Sequence, residues 1–132
     1  MAKYAYPAIF TPEADGGYSI IFPDIDGCYT CGDSLEDGIE MAEDVLALAL
    51  YGYEKERRPI PDPSDRNTII LKENEFINYI ACDTIAYRKM YNNQSVKKTL
   101  TIPQWLNEAA SEAGINFSQV LQEALKAQLH LG

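Results

Sequence analysis

Val96-Lys97-Lys98-Thr99-Leu100-Thr101-Ile102-Pro103 alternates polar and apolar side chains and then stops at a proline. A period of two is that of a strand: Lys97, Thr99 and Thr101 share one face, and Leu100 and Ile102 the other. Pro103 ends the strand and suits the first position of a helix. Helical spacing follows from Gln104 to Ala113, with Trp105, Leu106, Ala109, Ala110 and Ala113 on one face. Gly114 fits the left-handed stop after a helix. Asn116 caps a second helix, with Gln119 three residues on as a variant of the capping box. That helix is expected to bury Phe117, Val120, Leu121, Ala124, Leu125 and Leu129.

One strand and two apolar helices in under forty residues do not make a stable body, because the strand lacks a ladder partner and the core is small. A two-fold copy supplies both. The strands pair antiparallel, and four helices cover their apolar face, with Leu100, Ile102, Trp105, Leu106, Val120, Leu121 and Leu125 as the dimer core. The opposite face carries Lys97, Thr99 and Thr101 twice, and a two-stranded ribbon fits the major groove of DNA. This order of strand, Pro103, helix, Gly114, Asn116-Phe117-Ser118-Gln119 and helix resembles the ribbon-helix-helix DNA-binding fold. Lysine hydrogen-bonds guanine, and threonine reads either a base edge or a thymine methyl. Lys98 falls near the rim, beside a phosphate. The resemblance implies a phosphate clamped by backbone N–H groups at the start of the second helix, here Asn116, Phe117 and Ser118, as suits a helix N-terminus. An exposed ribbon of any function also alternates Lys and Thr; the two adjoining helices favour the DNA reader.

The whole chain has 132 residues and a net charge of −9. Residues 1–65 hold fourteen acids and four bases (−10); residues 66–132 hold six acids and seven bases (+1). The front half therefore repels nucleic acid and attracts a basic partner, while the rear half is free to approach DNA. No run of eighteen apolar residues is present, so no membrane span is expected. Met1 to Pro7 lacks the apolar core of a signal peptide, and three cysteines argue against a disulfide framework. The cytoplasm is the expected location.

In the front half, Lys3 to Phe10 reads as a strand with Tyr4, Tyr6, Ala8 and Phe10 on one face; Pro7 predicts an edge position or a bulge. Tyr18 to Phe22 and Cys28 to Cys31 read as second and third strands. Ser34 caps a helix running to about Glu56, with Leu35, Ile39, Ala42, Leu46, Ala49, Leu50 and Tyr53 inward and Glu36, Asp37, Glu40, Glu43 and Asp44 outward. Arg58 to Ser64 is a proline-stiffened connection. Thr68 to Lys72 reads as a short strand and Phe76 to Ala81 as a better one. Asp83 to Tyr91 permits a helical turn or two. Asn92 to Ser95 is a polar linker, placing one domain over residues 1–91 and linker plus DNA-binding domain over 92–132.

Strand, strand, strand, helix, strand, with Gly17-Tyr18-Ser19-Ile20-Ile21-Phe22-Pro23-Asp24-Ile25-Asp26-Gly27-Cys28 and then Thr30-Cys31-Gly32-Asp33-Ser34, closely resembles the HicB antitoxin family. The tail matches one of two tail types in that family. The fold class implied is α+β: a partial ribonuclease-H-like β-β-β-α-β domain followed by a ribbon-helix-helix. The resemblance implies an antitoxin that silences a small mRNA-cleaving HicA-type ribonuclease and represses its own operon by binding operator DNA as a homodimer, or as a tetramer of paired dimers.

Other motifs weigh less. Ribonuclease-H-type catalysis needs a carboxylate on the first strand, and Lys3 to Phe10 has none, so no enzyme is expected. Asp24, Asp26 and Asp33 either brace turns or meet the partner; Glu36, Glu40 and Glu43 are candidates for the toxin contact, weighed against an ordinary solvated helix face. Cys28 and Cys31 have zinc-motif spacing, but residues three apart on a strand point to opposite faces, and Cys82 and His130 do not complete a site. Buried, hydrophobic cysteines, a solvated His130 and no cofactor or metal are expected. Two other functions stay open: a ligand-sensing ribbon-helix-helix regulator without a toxin, and a degenerate nuclease.

Overall fold

A four-stranded sheet and a long helix form the first of two units, residues 1–94 and 95–132, into which the chain divides. The computed structural model describes residues 3–131. The fold is α+β. In the first unit, β1 (Lys3–Pro12), β2 (Tyr18–Ile21) and β3 (Tyr29–Gly32) precede α1 (Leu35–Glu56), and β4 (Phe76–Asp83) follows it. The sheet order is β3-β2-β1-β4, antiparallel throughout.

β1 turns Tyr6, Ala8 and Phe10 to the helix side, where they are buried with Ile20, Phe22, Ile25, Cys28, Ala42, Leu46, Leu50 and Ile80. Leu46 and Leu50 are wholly enclosed. β1 is an inner strand, yet Pro7 holds the edge position the sequence predicts, locally, at the end of β1 that β2 does not reach. Its proline is tolerated because β1 is laddered to β4 from Lys3↔Asp83 to Phe10↔Phe76, but to β2 only from Ile9 onward. At Pro7, opposite Tyr79, one side of the strand has no ladder to serve.

Ser34 caps α1 as the sequence predicts. Its Oγ accepts from Asp37 N–H at 3.1 Å, and the Asp37 carboxylate accepts from Asp33 N–H at 2.9 Å. The cap is seated by a close approach of backbones: a Cβ on Gly32 of β3 would lie 2.4 Å from Gly38 Cα of α1. Only two glycines let the helix start lie this low on the sheet.

Thr68 to Lys72 is not a strand. Arg66–Thr68 forms a 3₁₀ turn capped by Asp65, whose side chain accepts from Asn67 N–H, and Glu75 accepts from Lys72 N–H. These local bonds satisfy the backbone that a ladder would otherwise use. Beyond β4, the ambiguous segment is a helix, α2 (Thr84–Tyr91), with Asp83 accepting from Ile85 and Ala86 N–H.

In the second unit, residues 95–103 carry no regular structure, followed by α3 (Gln104–Glu112) and α4 (Phe117–Gln128). The strand expected at Lys97 to Ile102 is absent from the single chain, since a strand is defined by a ladder and no partner strand is at hand. Pro103 caps α3 rather than entering it. Gly114 stands at φ +70°, with Ile115 N–H on Ala110 O and Gly114 N–H on Ser111 O, a Schellman stop. Asn116 caps α4 by accepting from Gln119 N–H at 3.1 Å. The capping box is only half made, because the Gln119 amide turns forward to Glu123 instead of back. The apolar stripes of both helices are not buried within one chain. Trp105 is 69% and Leu125 52% exposed; Phe117, Val120 and Leu129 are exposed and Leu121 half-buried.

Candidate partner and nucleic-acid interfaces

Lys97, Lys98, Thr99 and Thr101 are all exposed, in the extended stretch leading into α3. Leu100 and Ile102, which alternate with them, are exposed too, as are Trp105 and Leu106 beyond. At the start of α4, Asn116 spends its side chain on the Gln119 N–H. The N–H groups of Phe117 and Ser118 have no acceptor within the helix, as in any first turn, and form a position suited to an anion. These groups and the lysines are therefore accessible together.

The acidic candidates separate into two kinds. Asp24, in the β2–β3 loop, is a brace: its carboxylate accepts from Ser64 N–H at 3.0 Å and from the Ser64 hydroxyl. Tyr6 fastens the same connection by donating to Pro61 O. Asp26, Asp33, Glu36, Glu40 and Glu43 are exposed. Among the described residues the ion pairs are Glu56–Arg58 and Glu54–Arg88, so none of these five acids is neutralised. From Tyr4 to Glu54 the chain holds eleven acids and no Lys, Arg or His. That run builds β1 apart from Lys3, all of β2 and β3, and nearly all of α1.

Sequence reasoning missed two features. The first is Glu54, on the last turn of α1, whose carboxylate accepts from Tyr4 OH (2.7 Å), Thr84 Oγ1 (2.8 Å) and Arg88 Nη2 (2.8 Å). It joins β1, α1 and α2 at one point. Burial and then the bond to Glu54 push the Tyr4 hydroxyl up to about 12. The second is the sheet face away from α1, where Ile21 and Tyr29 are exposed. Strict alternation within β2 was the available signal, since Ile20 is buried and Ile21 is not.

The cysteines divide by position. Cys28 is buried and Cys82 half-buried, and burial pushes each thiol up to about 11. Cys31 is exposed, against the expectation of three buried thiols, because it points off the outer face of β3. Among the described residues no three His, Cys, Asp or Glu side chains are grouped to hold a metal ion, and no helix is long and apolar enough to cross a membrane. His130 is exposed at the end of α4, with φ +57°. An open cavity of about 430 Å³ lies between Asp24, Asp26, Tyr53, Arg58 and Ile60, with the Arg58 guanidinium 4.1 Å above the Tyr53 ring.

Residues 5–72 match the family model described as HicB_like antitoxin of bacterial toxin-antitoxin system. The chain belongs to the HicB-like antitoxin family. It is 30% identical over 100 residues to Antitoxin HicB 1 of Photorhabdus laumondii, a match covering 70% of this chain and 64% of that one. Among solved structures it resembles a chain of the Toxin-Antitoxin complex from Streptococcus pneumoniae, at 26% identity and TM-score 0.62, covering 96% of this chain and 99% of that one. A chain of the HicA3 and HicB3 toxin-antitoxin complex matches at 29% identity and TM-score 0.50, over 61% of this chain and 99% of that one.

Proposed function

We propose that this HicB-like antitoxin neutralises a small basic HicA-type ribonuclease through its front unit and represses its own operon through its tail. The observation that carries the first role is the uninterrupted acid of residues 4–54, set in a family of antitoxins. A ribonuclease presents a cationic surface to RNA, and an acidic inhibitor gains both association rate and specificity from meeting it. Exposed Asp26, Asp33, Glu36, Glu40 and Glu43 provide this charge; Asp24 acts as a brace. The protein itself performs no catalysis and requires no cofactor. Its place of action is the cytoplasm, where mRNA is cut.

The second role rests on the exposed stripe of Leu100, Ile102, Trp105, Leu106, Val120 and Leu125. Exposed apolar area of this extent calls for a partner. A second copy completes it: the two stretches from Lys97 to Ile102 become a ribbon, and four helices close over Leu100 and Ile102. Lys97, Thr99 and Thr101 then read the major groove, Lys98 meets a phosphate, and the N–H groups at Phe117 and Ser118 clamp another. Two dimers binding side by side offset the small number of bases per tail.

Co-expression with the neighbouring ribonuclease frame tests the first role: copurification and loss of toxicity are expected. Retained inhibition after charge reversal at Glu36, Glu40 and Glu43 removes those three from the contact. For the second role, sedimentation at micromolar concentration should give a dimer, and Leu125→Asp a monomer. Lys97→Ala with Thr99→Ala should abolish the specific shift of promoter DNA. A monomeric wild type with its tail helices folded would falsify the repressor role.

A further inference from the structure

The sheet of the first unit has a helix on one face only. On the other, the strand registers line up one residue from each strand: Tyr29 opposite Ile21, Ile21 opposite Ile9, and Ile9 opposite Ile77. These four make an apolar row across all four strands. It is half-buried toward β4, at Ile9 and Ile77, and open toward β3, where Ile21 is 49% and Tyr29 70% exposed. There the face dips into an open cavity of about 440 Å³ beside Thr11, Ser19, Ile21, Tyr29 and Cys31. β3 is also an outer strand of four residues, Tyr-Thr-Cys-Gly, with no charge, proline or bulge to blunt its edge.

We propose that this outer face and the free edge of β3 are where the basic ribonuclease docks. The proposal rests on the antitoxin reading above and locates its contact. An apolar row of this kind calls for cover, and charge selects the cover. Two carboxylates border the row, Glu13 accepting from Ser19 Oγ at 2.6 Å and Glu75 from Thr11 Oγ1 at 3.0 Å, and the strands and loops from Tyr4 to Gly32 carry acids and no base. A second copy laid on this face would bring two such surfaces together with nothing to neutralise them. A cationic protein meets an apolar centre bordered by the Glu13 and Glu75 carboxylates, a polar edge around an apolar middle as in a specific interface. Its backbone pairs with the unblunted edge of β3, adding a strand to the sheet.

The test uses the full chain and a HicA-type ribonuclease made inactive by mutation so that both express. Ile21→Arg and Tyr29→Arg each add one positive charge at an exposed position, and so does Ile70→Arg, which is 95% exposed and outside the sheet. Binding should weaken about thirtyfold or more for the first two, the range of an interface hot spot, and less than threefold for Ile70→Arg. In the wild-type complex, amide exchange over Tyr29–Gly32 should slow at least tenfold. Equal affinity for Tyr29→Arg, Ile21→Arg and wild type overturns the location, as does an equal loss in all three variants, which makes the effect one of net charge. A change in the mass of the antitoxin alone, with toxin binding untouched, assigns the face to a second copy and likewise overturns it. Failure of the wild type to bind the ribonuclease is a different result, and overturns the antitoxin role itself.

Discussion

Glu54 is the residue on which the first unit's second layer turns. Its side chain is 15% exposed and takes three hydrogen bonds, one from Arg88. Glu54→Ala takes the acceptor from the Arg88 guanidinium and the Tyr4 hydroxyl, and is expected to cost about 1–3 kcal/mol in urea unfolding. Three groups, Cys28 buried and Cys82 and Tyr4 half-buried, set the alkaline limit. Cys28 and Cys82 are raised to about 11 and Tyr4 to about 12, each above its unfolded value of 9.0 or 10.0. Each is neutral when protonated, so between pH 9 and 12 the unfolded chain holds fewer protons than the folded one. Stability is therefore complete below pH 9 and falls as pH rises to 11. The urea midpoint should drop across that window, and less steeply in Cys28→Ala than in wild type.

At the scale of elements, two glycines of similar appearance have opposite roles. Gly32 lets β3 touch α1, and a Cβ there meets the backbone of Gly38 at 2.4 Å. Gly32→Ala should destabilise by about 2 kcal/mol or more, because backbone on both sides must move. Gly52, on α1, has nothing within 4 Å of where its Cβ would stand. Gly52→Ala should stabilise by about 0.5–1 kcal/mol through helix propensity alone. Thermal unfolding of the two variants side by side checks both signs. In the tail, Asn116→Ala removes the cap of α4 and should cost about 1 kcal/mol, read as a lower midpoint for the tail's unfolding.

At the scale of the whole molecule, charge is divided between the two roles proposed above, with the acid concentrated in the front half. Residues 1–65 sum to −10 and residues 66–132 to +1. Only Lys97, Lys98 and Lys126 serve the tail. With Lys97 and Lys98 contributed twice, operator affinity should fall with salt at a log–log slope of about −4 per dimer. Lys98→Ala should flatten that slope by about 2 and weaken all DNA sequences alike, whereas Thr99→Ala should act on the operator alone. Titrating labelled operator and a scrambled duplex at several salt concentrations separates the two.

Local pattern was enough for the elements whose causes are local. Alternation marked β1 and β4, helical spacing marked α1, α3 and α4, and the caps at Ser34 and Asn116 and the stop at Gly114 follow from side-chain and backbone chemistry within a few residues. The two-part charge and the exposed apolar stripe of the tail were legible for the same reason. Features made by distant residues were not. The strand order that places β1 inside the sheet, the turn that replaces a strand at Thr68 to Lys72, Glu54 gathering Tyr4, Thr84 and Arg88, and the row from Tyr29 to Ile77 each depend on segments up to fifty or more residues apart. A side chain's period tells which way it points, and only packing decides what, if anything, it meets there.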